Sequence, residues 1–89
     1  MPARDITIVN RLGLHARAAS KFVALASRFQ AEIRLRRGNR EVNGKSIMGV
    51  MMLAAAKGTT VTVQAEGSDA EAALDALEGL VAARFEEAE

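Results

Sequence analysis

Glu32-Ile33-Arg34-Leu35-Arg36-Arg37-Gly38-Asn39-Arg40-Glu41-Val42-Asn43 alternates twice about a turn. Ile33 and Leu35 fall on one face, while Glu32, Arg34 and Arg36 fall on the other. That period of two is the pattern of a half-buried strand. Gly38-Asn39 is a hairpin turn signal. Arg40 to Asn43 returns with Val42 inward, so residues 32–43 are predicted to form a β-hairpin with one wet face.

The same pattern recurs on both sides. Residues 4–9 (Arg-Asp-Ile-Thr-Ile-Val) alternate and are β-branched, with Ile6 and Ile8 on one face. Residues 59–66 place Val61, Val63 and Ala65 inward, and Thr60, Thr62, Gln64 and Glu66 outward. Between the strands the period changes to that of a helix. Residues 16–28 carry Ala19, Phe22, Val23 and Ala26, with Phe29 just beyond, at helical spacing; Ala70, Leu74, Leu77 and Val81 repeat it in a last helix expected to reach Phe85. Ser68-Asp69-Ala70-Glu71 reads as a capping box for that helix. The tail, Glu86–Glu89, is acidic and expected to fray. The order is β-α-β-β-α-β-α. Strands wet on one side predict an α+β fold, with a four-stranded antiparallel sheet covered on one face. The whole chain, 1–89, is expected to be one domain.

Composition narrows the chemistry. There is no cysteine and only one histidine, so disulfides, thiol chemistry and a zinc site are not expected, and no cofactor is implied. No apolar run approaches a membrane span and the N-terminal residues show no apolar signal-peptide core; a cytoplasmic location is expected, without membrane insertion. Charge is uneven. Residues 1–64 carry eleven Lys/Arg against three Asp/Glu, whereas residues 65–89 carry one against eight. Such a division suggests a basic face that meets acidic partners or phosphate; a merely solvated acidic helix explains it equally well. Three scattered phenylalanines make no stacking platform, so no nucleic-acid partner is expected.

His15 follows the turn-like Asn10-Arg11-Leu12-Gly13 and opens the first helix. A lone histidine is ordinarily a surface or capping residue. Here it stands at a helix start, where N–H groups and the helix dipole favour an anion. Arg17 lies in the first turn and can share an oxyanion with it. No carboxylate occurs between Asp5 and Glu32, so a hydrolytic triad is not supported. What remains is the imidazole as a nucleophile that takes a group covalently and hands it on; a phosphoryl group suits the surroundings.

Ser46 is a predicted N-cap for a short helix, Ile47 to Leu53. This helix is apolar nearly all round: Ile47, Met48, Val50, Met51, Met52 and Leu53. Methionine suits adaptable docking surfaces, but core filling is the expectation for most of these residues.

Two motifs carry a family resemblance. Gly13-Leu14-His15-Ala16-Arg17-Ala18-Ala19 resembles the active-site motif of the HPr family, the histidine-containing phosphocarriers of the bacterial phosphotransferase system. Asn43-Gly44-Lys45-Ser46-Ile47-Met48-Gly49-Val50-Met51 resembles the family's regulatory serine motif. Both sit at the family's spacing, and the resemblance covers essentially the whole chain. It implies an open-faced β-sandwich, the four strands having three helices on one face. It further implies that His15 accepts a phosphoryl group on Nδ1 from phosphorylated enzyme I and passes it to IIA domains of sugar permeases, with Arg17 steadying the oxygens. HPr kinase/phosphorylase acting on Ser46, and a transcriptional regulator, are further implied partners. The docking residues would be Leu14, Ala16, Lys21, Ile47, Met48 and Met51, on a monomer. Many family members have proline where this chain has Ala18. With Ala18 and Met51–Ala56, the chain also looks like the nitrogen-branch regulatory paralogue. An HPr-like binding module that transfers no phosphate, and a small ligand-binding regulatory domain, are the alternatives. Neither requires His15.

Overall fold

The computed structural model, which describes residues 2–86, joins the alternating segments into one antiparallel sheet. Its strands are β1 (Ala3–Thr7), β2 (Glu32–Arg37), β3 (Arg40–Asn43) and β4 (Thr60–Glu66), in the spatial order β1-β4-β2-β3. Register puts the inward residues side by side: Ile6 opposite Val61, Val63 opposite Leu35, Leu35 opposite Val42, and Ile33 opposite Ala65. A slip of one residue would turn each of them to water. The predicted first strand, 4–9, ends early at Thr7. Ile8 stays buried beyond it, because its N–H donates to Thr59 O (2.9 Å) and its carbonyl accepts from Gly58 N (2.7 Å).

Three helices cover the apolar face: α1 (Ala16–Ala26), α2 (Ile47–Met52) and α3 (Ala70–Ala82). Helix α1 buries Ala18, Ala19, Phe22 and Ala26; α3 buries Ala70, Ala73, Leu74, Leu77 and Val81. Burying a side chain the size of Phe22 contributes about 2–3 kcal/mol. Arg4 lies on the core-facing row of edge strand β1, too polar to enter the core. It turns to α3 instead and meets Glu71 (3.3 Å), Asp75 (2.6 Å) and Glu78 (2.8 Å). Part of the chain's charge asymmetry is thus neutralised within the fold.

Four local expectations are corrected. Helix α1 ends at Ala26, two residues short of the predicted end. Helix α3 stops at Ala82; a 3-10 turn, Arg84–Glu86, follows with positive φ at all three residues. That reversal returns Phe85 to the core, and Lys21 Nζ donates to its carbonyl at 2.7 Å. Glu86 is described and exposed; the rest of the predicted frayed tail, 87–89, lies outside the described residues. The capping box does not form. Asp69 is the N-cap of α3, yet its carboxylate accepts from Gln30 N (2.9 Å) and Ala31 N (2.8 Å), while Glu71 goes to Arg4. The Gln30 and Ala31 N–H groups hold the Asp69 carboxyl below its usual range, against partial desolvation. Tertiary donors displace the local cap because Gly67, at φ +147°, brings the chain onto Ala31. Finally, α2 is not core filler. Only Val50 and Leu53 turn inward, because a single turn and a half has one face against the molecule. Ile47 (42%), Met48 (73%), Met51 (42%) and Met52 (61%) are exposed.

Candidate functional site

The loop before His15 is held from both sides. Asn10 is fully buried, and its Nδ2 donates to Gly13 O at 2.8 Å; Gly13 N donates back to Asn10 O at 3.2 Å. Gly13 adopts φ +67°, where a side chain is strained. A Cβ there would also stand 2.4 Å from Ala55 O, so no larger residue fits. Leu14 N donates to that same Ala55 carbonyl at 2.9 Å. The strand-to-helix loop is therefore stitched to the segment that leaves α2.

His15 comes next, in extended backbone (φ −73°, ψ 178°), as the N-cap residue of α1. Its carbonyl accepts from Ala19 N at 2.8 Å and starts the helix. Its imidazole does not cap the first turn, and that turn contains no acidic residue. The N–H groups of Ala16, Arg17 and Ala18 have no acceptor within the helix, by the geometry of an α-helix start. The dipole adds a partial positive charge there. Half-buried His15 and exposed Arg17 thus stand together at a helix start whose first turn holds no acidic residue. An oxyanion suits such a place; a hydrolytic triad does not.

Ser46 opens the second helix differently. Its Oγ accepts from Gly49 N at 3.1 Å, so the predicted cap is formed by its own side chain. The other end of α2 is held from the hairpin: Arg37 donates to Leu53 O (2.7 Å) and Arg40 to Met52 O (2.7 Å). With both ends secured, α2 presents Ile47, Met48, Met51 and Met52 to solvent, and it packs beside α1.

The sequence-derived docking residues divide. Ala16, Ile47, Met48 and Met51 are exposed and Lys21 is half-buried, its amine committed to the Phe85 carbonyl. Leu14 is corrected: it is only 6% exposed and belongs to the core, pinned by its bond to Ala55, so it adds little to a partner surface. Sequence reasoning marks Asn10–Gly13 as a turn without assigning the Asn10 side chain a role there, and it missed Arg37, Arg40 and Met52. Asn10 had a signal, since Asn at the first and Gly at the fourth position mark a turn. The arginines had none, because their targets are backbone carbonyls distant in sequence.

Comparison with known proteins agrees with this geometry. A family model described as the PTS HPr component phosphorylation site matches residues 2–83. A phosphocarrier protein HPr from Cupriavidus necator is 53% identical, with all of both chains covered. A phosphocarrier protein NPr from Shewanella violacea is 49% identical over 96% of this chain and 93% of its own. The crystal structure of HPr-C-His from Thermoanaerobacter tengcongensis superposes with a TM-score of 0.96 at 44% identity, covering all of both chains.

Proposed function

The chain belongs to the HPr family of phosphotransferase-system phosphocarriers, and from that premise we propose that His15 is the residue that carries the phosphoryl group. Members of this family are carriers that work with enzyme I and IIA proteins, rather than enzymes that turn over a free substrate. In the proposed reaction the neutral imidazole of His15, through Nδ1, attacks the phosphorus of phosphorylated enzyme I. The new N–P bond forms as the donor's bond to phosphorus breaks. Arg17 and the first-turn N–H groups of α1 balance the charge on the phosphoryl oxygens. In the second transfer a nucleophilic group of a sugar permease's IIA domain bonds to phosphorus as the N–P bond breaks, and the His15 imidazole leaves.

One observation carries this reading: His15 and Arg17 stand at a helix start whose N-cap imidazole makes no capping bond and whose first turn holds no acidic residue. The exposed apolar side chains of α2 provide the proposed docking face, with Arg17 and Ala16 on α1 beside it. A small, partly apolar patch near basic side chains suits partners that must release quickly. The carrier works as a monomer in the cytoplasm on this reading.

Ser46 is proposed as a regulatory site for HPr kinase/phosphorylase, with a transcriptional regulator among the readers of that state. A phosphate at this N-cap is compatible with the helix dipole, so its effect would be charge beside Ile47 and Met48 rather than unfolding. The nitrogen-branch regulatory role is the second reading; the 49% identity to an NPr, together with Ala18, favours it. Incubation with enzyme I and labelled phosphoenolpyruvate tests the carrier role. The label is expected to be acid-labile and base-stable, and absent from His15→Ala. Presenting the labelled protein to purified IIA proteins of the sugar and nitrogen branches separates the two readings.

A further inference from the structure

The chain has no cysteine, tryptophan or tyrosine, so its most oxidisable side chains are its thioethers. It has four methionines, and three of them, Met48, Met51 and Met52, stand on α2. Their spacing of i, i+3 and i+4 puts them on one helix face. All three are exposed, and Met48 is the most exposed large apolar residue among those described. No thiol competes for an oxidant.

We propose that Met48, Met51 and Met52 form an oxidation-sensitive modification site, and that their conversion to sulfoxides by a peroxide weakens docking of enzyme I. In the step, a sulfur lone pair attacks one peroxide oxygen. The S–O bond forms as the O–O bond breaks. Sulfur is oxidised by two electrons and the peroxide is reduced to water. Each sulfoxide replaces an apolar surface by a strong acceptor that a docked apolar partner surface leaves unsatisfied. His15 and its first-turn N–H groups are untouched, so the effect falls on binding rather than on the phosphoryl step. Methionine sulfoxide reductases reverse the change. The inference rests on the reading of α2 as the docking face for enzyme I.

The test treats the full chain with hydrogen peroxide, maps sulfoxides by peptide mass spectrometry, and titrates enzyme I against oxidised and reduced protein by calorimetry. Sulfoxides are expected at all three positions, with enzyme I binding weakened about tenfold. Treatment with both reductases should restore binding. The triple variant M48L/M51L/M52L should bind enzyme I and keep its affinity through peroxide treatment. Unchanged affinity in the fully oxidised chain, or a triple variant that still loses binding, would overturn the inference. Binding is read without phosphoryl transfer. Oxidation-sensitive binding with no label on His15 would therefore refute the carrier role while supporting this site.

Discussion

The starts of α1 and α2 are built from the same backbone arrangement and treated in opposite ways. Both N-cap residues are extended, and both carbonyls accept the first helical bond: His15 O from Ala19 N and Ser46 O from Val50 N. At α2 the serine hydroxyl takes a first-turn N–H for itself, whereas at α1 the imidazole does not cap. Their support differs too. His15 is positioned by a loop locked through Asn10, Gly13 and Ala55; Ser46 follows a turn held to β2 instead, with Gly44 N donating to Ile33 O at 2.8 Å and Asn43 Oδ1 accepting from Lys45 N at 2.9 Å. The difference lies in the cap: the α1 start keeps its first-turn N–H groups free of its own N-cap side chain, as the proposed anion role needs, and the other holds a short helix whose apolar side faces outward.

The largest effect expected from breaking this contrast is at Gly13. Gly13→Val combines a left-handed backbone with a collision against Ala55 O, and should cost about 3 kcal/mol or more of stability, read by urea denaturation. Gly49→Ala, in the first turn of α2, meets Ser46 Oγ and Val42 Cβ only at 3.3 Å; its change should stay within about 1 kcal/mol.

Arg17→Ala comes second. Removing the guanidinium should lower the rate of phosphoryl acceptance about 100-fold with little change in melting temperature. Arg17→Lys should recover part of the rate, since it keeps the charge but not the planar fork. An equal loss in rate and stability would place Arg17 in the scaffold instead.

Ser46 ranks third. Ser46→Ala should cost about 1 kcal/mol, the usual worth of such a cap, and leave phosphoryl acceptance within twofold. Ser46→Asp should preserve the cap while adding a charge beside Ile47 and Met48, raising the KM for enzyme I without altering the phosphoryl step.

The third helix start supplies the smallest expected effect and a pH dependence. The Asp69 carboxyl is held below its unfolded value of about 3.9 by the Gln30 and Ala31 N–H groups. The folded state therefore binds this proton less readily than the unfolded chain. Its contribution is fully present above pH ~4 and is lost as pH falls through the lower folded value. Asp69→Asn should flatten this part of the acid unfolding profile, measured by circular dichroism, and leave phosphoryl acceptance at neutral pH unchanged.

Much of this was legible in the residues. Alternation in 32–43 and 59–66 predicted the strands because each has one face in water, and the cap at Ser46 was readable because its partner is three residues away. The misreadings share a physical cause: tertiary contacts overrode local pattern. Asp69 looked like part of a capping box but found better donors in the 30–31 turn. Most of the α2 side chains looked like core by composition, which cannot distinguish an inward face from an outward one on a helix apolar all round; the family resemblance places Ile47, Met48 and Met51 on a docking surface, but not Met52. Phe85 looked like the end of a helix, and reached the core through a left-handed turn that no local pattern announced. At the candidate site His15, Arg17 and Ser46 were visible as residue types at helix starts. The hold of Asn10 on Gly13 and of Arg37 and Arg40 on α2 required the fold.

The central proposal is that His15, at the start of α1, carries the phosphoryl group. It is tested most directly by phosphorus NMR of the intact chain incubated with enzyme I and phosphoenolpyruvate. One new phosphoramidate resonance is expected, lost on acidification and absent from His15→Ala, while Ser46→Ala still shows it. An unchanged resonance in His15→Ala, or none in the wild-type chain with active enzyme I, would contradict it.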